Sequence, residues 1–375
     1  MDLIPSASVG VKINEWYDYI NKFDSENAEK IQIEIEQMIG QMEQDDDLIS
    51  YYEIMLFRHH LMMDYLFPSD PSKKLEKWEY LRRSEGSSQR LTRLSEYYAH
   101  FFEGMYFFAK GLYIQAIQSY KQAEKKIYHV RDQVEKAEFY FKMAEVFYHM
   151  KQTHVSMSYV TQAYNIYDKQ ETYTIRKIQC LFVIAGNYTD MQMHEKALPH
   201  MKSCLATARI IGNKLIMAKA LRNMGLCHVK MNDFDSAADC FLESAKISER
   251  INSKETLYAY YDLSILYFKK GERVEGFKFY KEAVKQAEHF DDNFFLCLLD
   301  VVKALYIEPT AGRKEILQAF EPLRNGRGYP YIEELAFDAA EFYTKEERAE
   351  DSVFFFREML DAQKQIQRGD FLYEI

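Results

Sequence analysis

The sequence predicts an all-α protein: an N-terminal three-helix bundle followed by a right-handed superhelix of about seven helix–turn–helix repeats. Three observations carry this. First, the 375 residues include only 14 glycines and 7 prolines, about half the usual combined share, and the tight turns of strand-rich folds are built mostly from those two residues. The low count fits long paired helices joined by few turns. Second, no proline lies between Pro71 and Pro199, and none between Pro199 and Pro309; proline-free stretches of that length favour helices. Third, four small or apolar positions recur in one register through most of the chain.

The elements follow in order. A first helix over Val9–Lys22 places Val9, Ile13, Trp16, Tyr17 and Ile20 on one face. A second, Glu26–Gln44, has Ala28, Ile31, Ile35, Met38 and Met42 at helical spacing. A third runs from about Asp47 to Phe67. Residues 1–67 therefore form a bundle. The polar stretch 68–96, with Pro68, Pro71 and Gly86, reads as a linker or connecting helix. The repeats occupy 97–375.

Five sets of positions define the repeats. They are Gly104, Ala116, Tyr120, Ala123; Ala144, Ser156, Val160, Ala163; Ala185, Ala197, Met201, Cys204; Gly225, Ala237, Phe241, Ser244; and Ser264, Gly276, Tyr280, Ala283. Offsets within each set are 12, 16 and 19, and the sets step by 40, 41, 40 and 39 residues. Small residues let two helices approach closely, and the large third residue is expected to plug the next unit. The pattern resembles the tetratricopeptide repeat, whose usual period is 34; a longer period implies longer helices or loops. A degenerate unit spans about 295–328, and a last one carries Ala340, Ser352, Phe356 and Met359. Stacked units of this kind create a concave groove lined by the first helix of each pair, suited to an extended peptide.

Charge narrows the function classes. The formal charge is −10, and residues 1–67 hold 14 acids against 4 bases, while residues 68–375 hold 44 of each. Nucleic acid is thus not expected as the direct ligand; an acidic bundle suits a basic partner surface. The N-terminus lacks the apolar core of a secretory signal, and the longest apolar-rich uncharged run, Ile178 to Thr189, is too short to span a bilayer. Cys180, Cys204, Cys227, Cys240 and Cys297 are odd in number and without a CxxC pair, which points to reduced thiols and a cytoplasmic location without membrane attachment. The 29 tyrosines and 26 phenylalanines are expected mostly in the core. His59 and His60 are adjacent and face different sides of a helix, so no joint metal site is expected.

The run Glu43-Gln44-Asp45-Asp46-Asp47 is the conspicuous acidic feature. Paired carboxylates serve as acid–base groups or metal ligands, but these occupy one short turn with no spaced partner and read as an acidic helix cap. No phosphate loop, nucleophile elbow, HExxH or zinc spacing is present. The chain offers no catalytic constellation and no cofactor site of its own.

The two halves together resemble a known family. Lys12-Ile13-Asn14-Glu15-Trp16-Tyr17, Gln41-Met42-Glu43 and Phe57-Arg58-His59 in the bundle carry the likeness. So do Glu135-Lys136-Ala137-Glu138-Phe139, Met150-Lys151-Gln152-Thr153 and Ala185-Gly186-Asn187-Tyr188 in the repeats, and the tail Ile366 to Ile375. These resemble the Rap family of Bacillus response-regulator regulators over essentially the whole chain. The resemblance implies a response regulator as partner, bound through the bundle and adjoining repeats, and a short secreted and re-imported Phr-type peptide in the groove that switches the protein off by rearranging the bundle. Some members speed hydrolysis of an aspartyl phosphate in the sporulation phosphorelay. Others block DNA binding by the competence response regulator. A homodimer is compatible with the sequence.

The same resemblance assigns residues. The partner surface comprises Gln44, Asp45, Asp46, Leu48 and Ile49. Family phosphatases insert a glutamine to orient water, with Mg²⁺ supplied by the partner's receiver domain. Their loop reads Met-Glu-Glu-Asp-Gln-Asp-Leu; here Met42 to Leu48 aligns without a gap and puts Asp46 at the glutamine. A carboxylate there meets like-charge repulsion from the phosphoryl group, and Gln44, about one helical turn earlier, substitutes only if the loop refolds. Asp190 matches an acid that contacts the inhibitory peptide, and Asn223 an asparagine that holds peptide backbone through both amide groups. Glu145, Tyr148 and Asp300 join them on helix-face logic, giving an acidic groove. Two readings stay open: a binding antagonist of a response regulator, and an aspartyl-phosphate phosphatase.

Overall fold

The structure, a computed structural model, describes residues 3–66, 93–308, 312–324 and 328–366. Seventeen α-helices lie among the described residues, with no strand beyond one isolated bridge. The bundle is α1 (Ser6–Lys22), α2 (Ser25–Ile39) and α3 (Asp46–Leu66). Seven helix pairs follow: α4 (Arg93–Ala109) with α5 (Tyr113–Glu124), α6 (Gln133–His149) with α7 (Thr153–Tyr167), α8 (Thr174–Asp190) with α9 (His194–Ile210), α10 (Lys214–Lys230) with α11 (Phe234–Glu249), α12 (Glu255–Lys269) with α13 (Arg273–His289), α14 (Asn293–Val302) with α15 (Arg313–Phe320), and α16 (Tyr329–Lys345) with α17 (Ala349–Ile366). The connection expected over 68–96 lies, up to residue 92, outside the described residues, as does the tail beyond Ile366.

The bundle forms largely as the periodicity predicts. Val9, Ile13, Trp16, Tyr17 and Ile20 are all buried on α1. The side chain of Asp24 caps α2 by accepting from the Asn27 N–H at 3.1 Å. That helix stops at Ile39, short of the expected Gln44. The reason is a competing backbone pairing: the Ile4 N–H donates to the Gln41 C=O at 2.9 Å, and the Glu43 N–H donates to the Ile4 C=O at 3.1 Å. Groups committed to that bridge cannot continue a helical ladder.

The chain divides into two compact units. The first holds the residues to Val146 together with Gln162–Lys177. Inside it α1 and α3 meet α4 through aromatic side chains. Tyr17 meets Tyr98 edge-on at 5.7 Å, Tyr51 lies 6.0 Å from Tyr98, and Phe57 lies 6.2 Å from Tyr106, the geometry such rings favour. Beside these rings lies a buried polar cluster. Tyr17 and Tyr97 donate to the two oxygens of Glu135 at 2.6 and 3.1 Å. Glu138 pairs with Arg176 and, at 3.5 Å, with Arg58, and accepts from the Tyr167 hydroxyl at 3.0 Å. Arg58 also donates to Asn21, and the Trp16 indole donates to His59 Nδ1 at 3.0 Å. Buried charge is tolerated only when paired and hydrogen-bonded in this way.

The second unit comprises Phe147–Thr161 and the chain from Ile178 onward. Close helix approach is visible where glycine occupies the small position. A Cβ added at Gly225 would lie 2.5 Å from the Phe241 ring, so the large residue of the fourth set seals its own pair. It also reaches the next pair, clustering with Leu263 and Leu266. In the fifth set the buried aromatic is Phe279 rather than the expected Tyr280, which is half-buried.

The turns repeat as strictly as the helices. After the first helix of six pairs the chain enters the left-handed region at Gly111, Lys151, Gln192, Asn232, Gly271 and Glu347, with φ between 55° and 79°. Each turn is closed by a backbone bond spanning five residues, such as Met193 N–H to Tyr188 C=O at 2.8 Å and Asp233 N–H to His228 C=O at 2.9 Å. These are the 6→1 bonds of a Schellman stop. The low glycine count therefore does not mean few turns: four of these six stops use a side-chain-bearing residue. The sixth pair is the degenerate one, with α14 reduced to 10 residues and α15 to 8.

Candidate functional site

The acidic loop is held from both ends. Its first part is pinned by the Ile4 bridge, and the Ser6 N–H donates to Glu43 Oε1 at 2.9 Å. Its last residue caps α3: the Leu48 N–H donates to Asp45 Oδ1 at 3.0 Å, and that bond, with help from Ser6, holds the Asp45 carboxyl below its ordinary range. Asp45 is thus the cap anticipated for the acidic run. Gln44, Asp46, Asp47 and Ile49 are exposed, while Leu48 is half-buried. Asp46 stands at the first position of α3, where the helix dipole favours a carboxylate. Gln44, between two tethered residues, is fixed ahead of the helix. His59 is committed to Trp16, and no cluster of potential metal ligands occurs among the described residues.

Among the acid–base pairs that join different repeats in the second unit, four form a group around Glu334. Lys151 holds Asp190 at 2.6 Å, Arg222 holds Asp262 at 2.5 Å, Lys269 holds Asp338 at 2.7 Å, and Lys230 meets Glu334 at 3.5 Å. The last links the first helix of the fourth pair to the first helix of the seventh. In a solenoid each repeat touches its neighbours, so a bridge that skips two pairs crosses the concave side. Asn223, Asp262 and Asp338 share one register, two residues before the small position; Asp190, Lys230 and Lys269 share another, five residues after it.

The electrostatics tie this group together. Burial raises the Asp190 carboxyl, Lys151 pulls it back, and Glu334 pushes it up again. Asp262 and Asp338 are likewise raised by burial, opposed by Arg222 and Lys269, and pushed further by Glu334. Tyr148 is pushed up to about 12, by burial first and Asp190 second, and its ring packs against Gly186. Asp190 Oδ2 is buried and accepts no hydrogen bond from the described residues. The half-buried Asn223 amide makes no hydrogen bond among the described residues.

The structure thus brings Tyr148, Asp190 and the register of Asn223 together in the second unit. Glu145 falls in the first unit, where it pairs with Lys142 at 2.5 Å. Asp300 is exposed beside Tyr280 and Lys303 and does not join the group around Glu334. Asp190, Asp262, Asp338 and Glu334 each have a basic partner. Lys151, Lys230 and Glu334 were missed, although Lys230 and Lys269 lie at the same register as Asp190. Burial pushes the Cys204 thiol up to about 12 and the Cys240 thiol to about 11, and none of the five cysteines forms a disulfide among the described residues. No helix among the described residues is long and apolar enough to cross a membrane.

A helical bundle displaying a tethered acidic loop, joined to tetratricopeptide-type pairs with a charge-lined inner face, defines a helical-repeat protein with an appended bundle. Comparisons with known proteins place it further. A model described as response regulator aspartate phosphatase H, N terminal, matches residues 3–64, and a tetratricopeptide repeat model matches residues 178–250. The chain is 45% identical to response regulator aspartate phosphatase E of Bacillus subtilis (strain 168), covering 99% of both chains. It is 44% identical to phosphatase A of the same organism, covering 99% of this chain and 98% of that one. A crystal structure of a Rap protein complexed with competence and sporulation factor matches with a TM-score of 0.89 at 37% identity, covering 96% of this chain and 99% of that one. The chain belongs to the Rap family.

Proposed function

We propose that this protein binds a response regulator through its bundle and antagonises it, in the competence-type manner of blocking DNA binding, and that a short Phr-type peptide in the groove of the repeats relieves the block. The observation that carries this is the loop: it is pinned at Ile4, Ser6 and Asp45, and it offers Gln44, Asp46 and Ile49 outward. Its tethering keeps Gln44 from moving into the place of Asp46. A carboxylate at position 46 carries a charge that opposes a phosphoryl group. What remains is a preformed docking surface of acidic sign.

The second reading, an aspartyl-phosphate phosphatase of the sporulation phosphorelay with Mg²⁺ on the partner's receiver domain, is favoured by the names of the two relatives above. One experiment separates the two. Purified phosphorylated response regulator is incubated with the protein while label loss and complex formation are followed. The antagonist reading expects a complex, its loss in Ile49→Asp, displacement of the regulator from DNA, and no faster dephosphorylation. Accelerated label loss would overturn it. Asp190 and Asn223 are the residues assigned to the peptide; Asn223→Ala should leave regulator binding intact and abolish its relief by peptide.

A further inference from the structure

The groove of the second unit contains one pair unlike the rest. In three pairs the carboxylate is well covered, with side-chain exposures of 17% for Asp190, 8% for Asp262 and 6% for Asp338. Opening any of them strands a buried charge, which is costly. The Lys230–Glu334 pair is longer, at 3.5 Å, and its side chains are 51% and 66% exposed. Pairs of that kind contribute little and open easily.

Glu334 also has an electrostatic setting of its own. Its charge acts on Asp190, Asp262 and Asp338 and on the hydroxyls of Tyr148 and Tyr261. Each of the three aspartates already has a cation at 2.5–2.7 Å. Glu334 has one ion-pair partner among the described residues, the loosely held ammonium of Lys230, while the charge of Lys151 reaches it from farther away. A cation delivered to Glu334 relieves repulsion with three carboxylates at once, so this is where a cationic side chain entering the groove gains most.

We infer that Lys230 is an internal competitor for the ligand: its ammonium occupies, on Glu334, the place taken by the cationic side chain of a short peptide. Binding then exchanges one cation for another. The peptide must displace Lys230, and a neutral or acidic peptide has nothing to offer in return. The lysine thereby sets a threshold of charge for occupancy. This rests on the proposal that the groove binds a peptide, and it adds which residue reads the charge and which one opposes it.

The test uses the full-length protein and fluorescein-labelled pentapeptides, each neutral apart from one arginine placed at a different position, with an all-neutral control. Binding is read by fluorescence anisotropy. For the best arginine peptide, Lys230→Gln should tighten binding about two- to fivefold, the factor expected from freeing an exposed pair. Glu334→Gln should weaken it by at least that factor, and the double variant should lie within twofold of Glu334→Gln, because the lysine's ion-pair acceptor is gone and only its weaker pull on Asp190 remains. Lys285→Gln, which removes the same charge from an exposed site beside Glu282, should change nothing; if it tightens binding equally, the effect is general charge and the inference falls. Weaker or unchanged binding in Lys230→Gln overturns it as well. If no peptide binds and the neutral control behaves alike, the groove reading itself fails, and this inference with it.

Discussion

Glu135 should make the first unit less stable as pH rises from about 4.5 to about 7. Its carboxyl is buried, with Tyr17 of α1 and Tyr97 of α4 donating to its two oxygens. Burial pushes it from 4.5 up to about 7, and the charge on Glu138 adds to that, while both phenols and Arg58 pull the other way. Tyr51 and Tyr98 face it from α3 and α4. In an unfolded chain this carboxyl ionises near its ordinary value; in the folded chain it keeps its proton to about 7. The folded state therefore binds more protons between those limits. Its stabilising contribution is full below about 4.5 and is lost as pH rises through about 7. The gap corresponds to about 3 kcal/mol. Urea unfolding between about pH 5 and pH 8, followed by Trp16 fluorescence in a Trp78→Phe background, measures it. In Glu135→Gln the amide accepts from one tyrosine and donates to the other, so folding survives and this part of the pH slope disappears. Equal slopes in parent and variant would refute the reasoning.

Three further outcomes follow from particular contacts. Glu138→Gln leaves Arg176 and Arg58 buried beside a neutral group and should cost about 3–5 kcal/mol in chemical unfolding. Gly225→Ala drives a methyl into the Phe241 ring and should lower stability by about 1–3 kcal/mol, seen as a lower melting temperature. Gln192→Gly should raise stability by up to about 1 kcal/mol: Gln192 is exposed at φ 60°, and relief of the left-handed strain outweighs the extra chain entropy of glycine.

Much of the fold was legible because it repeats. The five sets from Gly104 to Ala283 mark five helix pairs and the set at Ala340 the last, since close helix packing constrains the same positions in every unit, and the degenerate stretch between them is the sixth. The end of α2 was not legible, because it is decided by Ile4, a residue far away in sequence. The turns were misjudged for a different reason. Glycine marks a left-handed stop when present, but Lys151, Gln192 and Glu347 make the same stop without it, held by the backbone bonds of the preceding helix.

The candidate site was legible in part. The repeat register shows which residues face the groove, and by that rule Asn223, Asp262 and Asp338 belong together. It does not show which charges cancel, because Lys151–Asp190 and Lys230–Glu334 depend on distances between repeats. The bundle shows the opposite case. Its acid excess looked diffuse in the sequence, but its four bases are all occupied: Lys12 by Glu15 and Glu34, Lys22 by Asp18, Lys30 by Glu26, and Arg58 by Glu138. Asp46 and Asp47 are exposed at the start of α3, so their charge faces solvent. Such a field reaches about 8 Å at physiological salt and speeds encounter with a basic partner more than it strengthens the complex. For the partner proposed here, acidic residues 46 and 47 govern approach, and affinity rests on the apolar side chains of Leu48 and Ile49 that follow them on the same turn of α3.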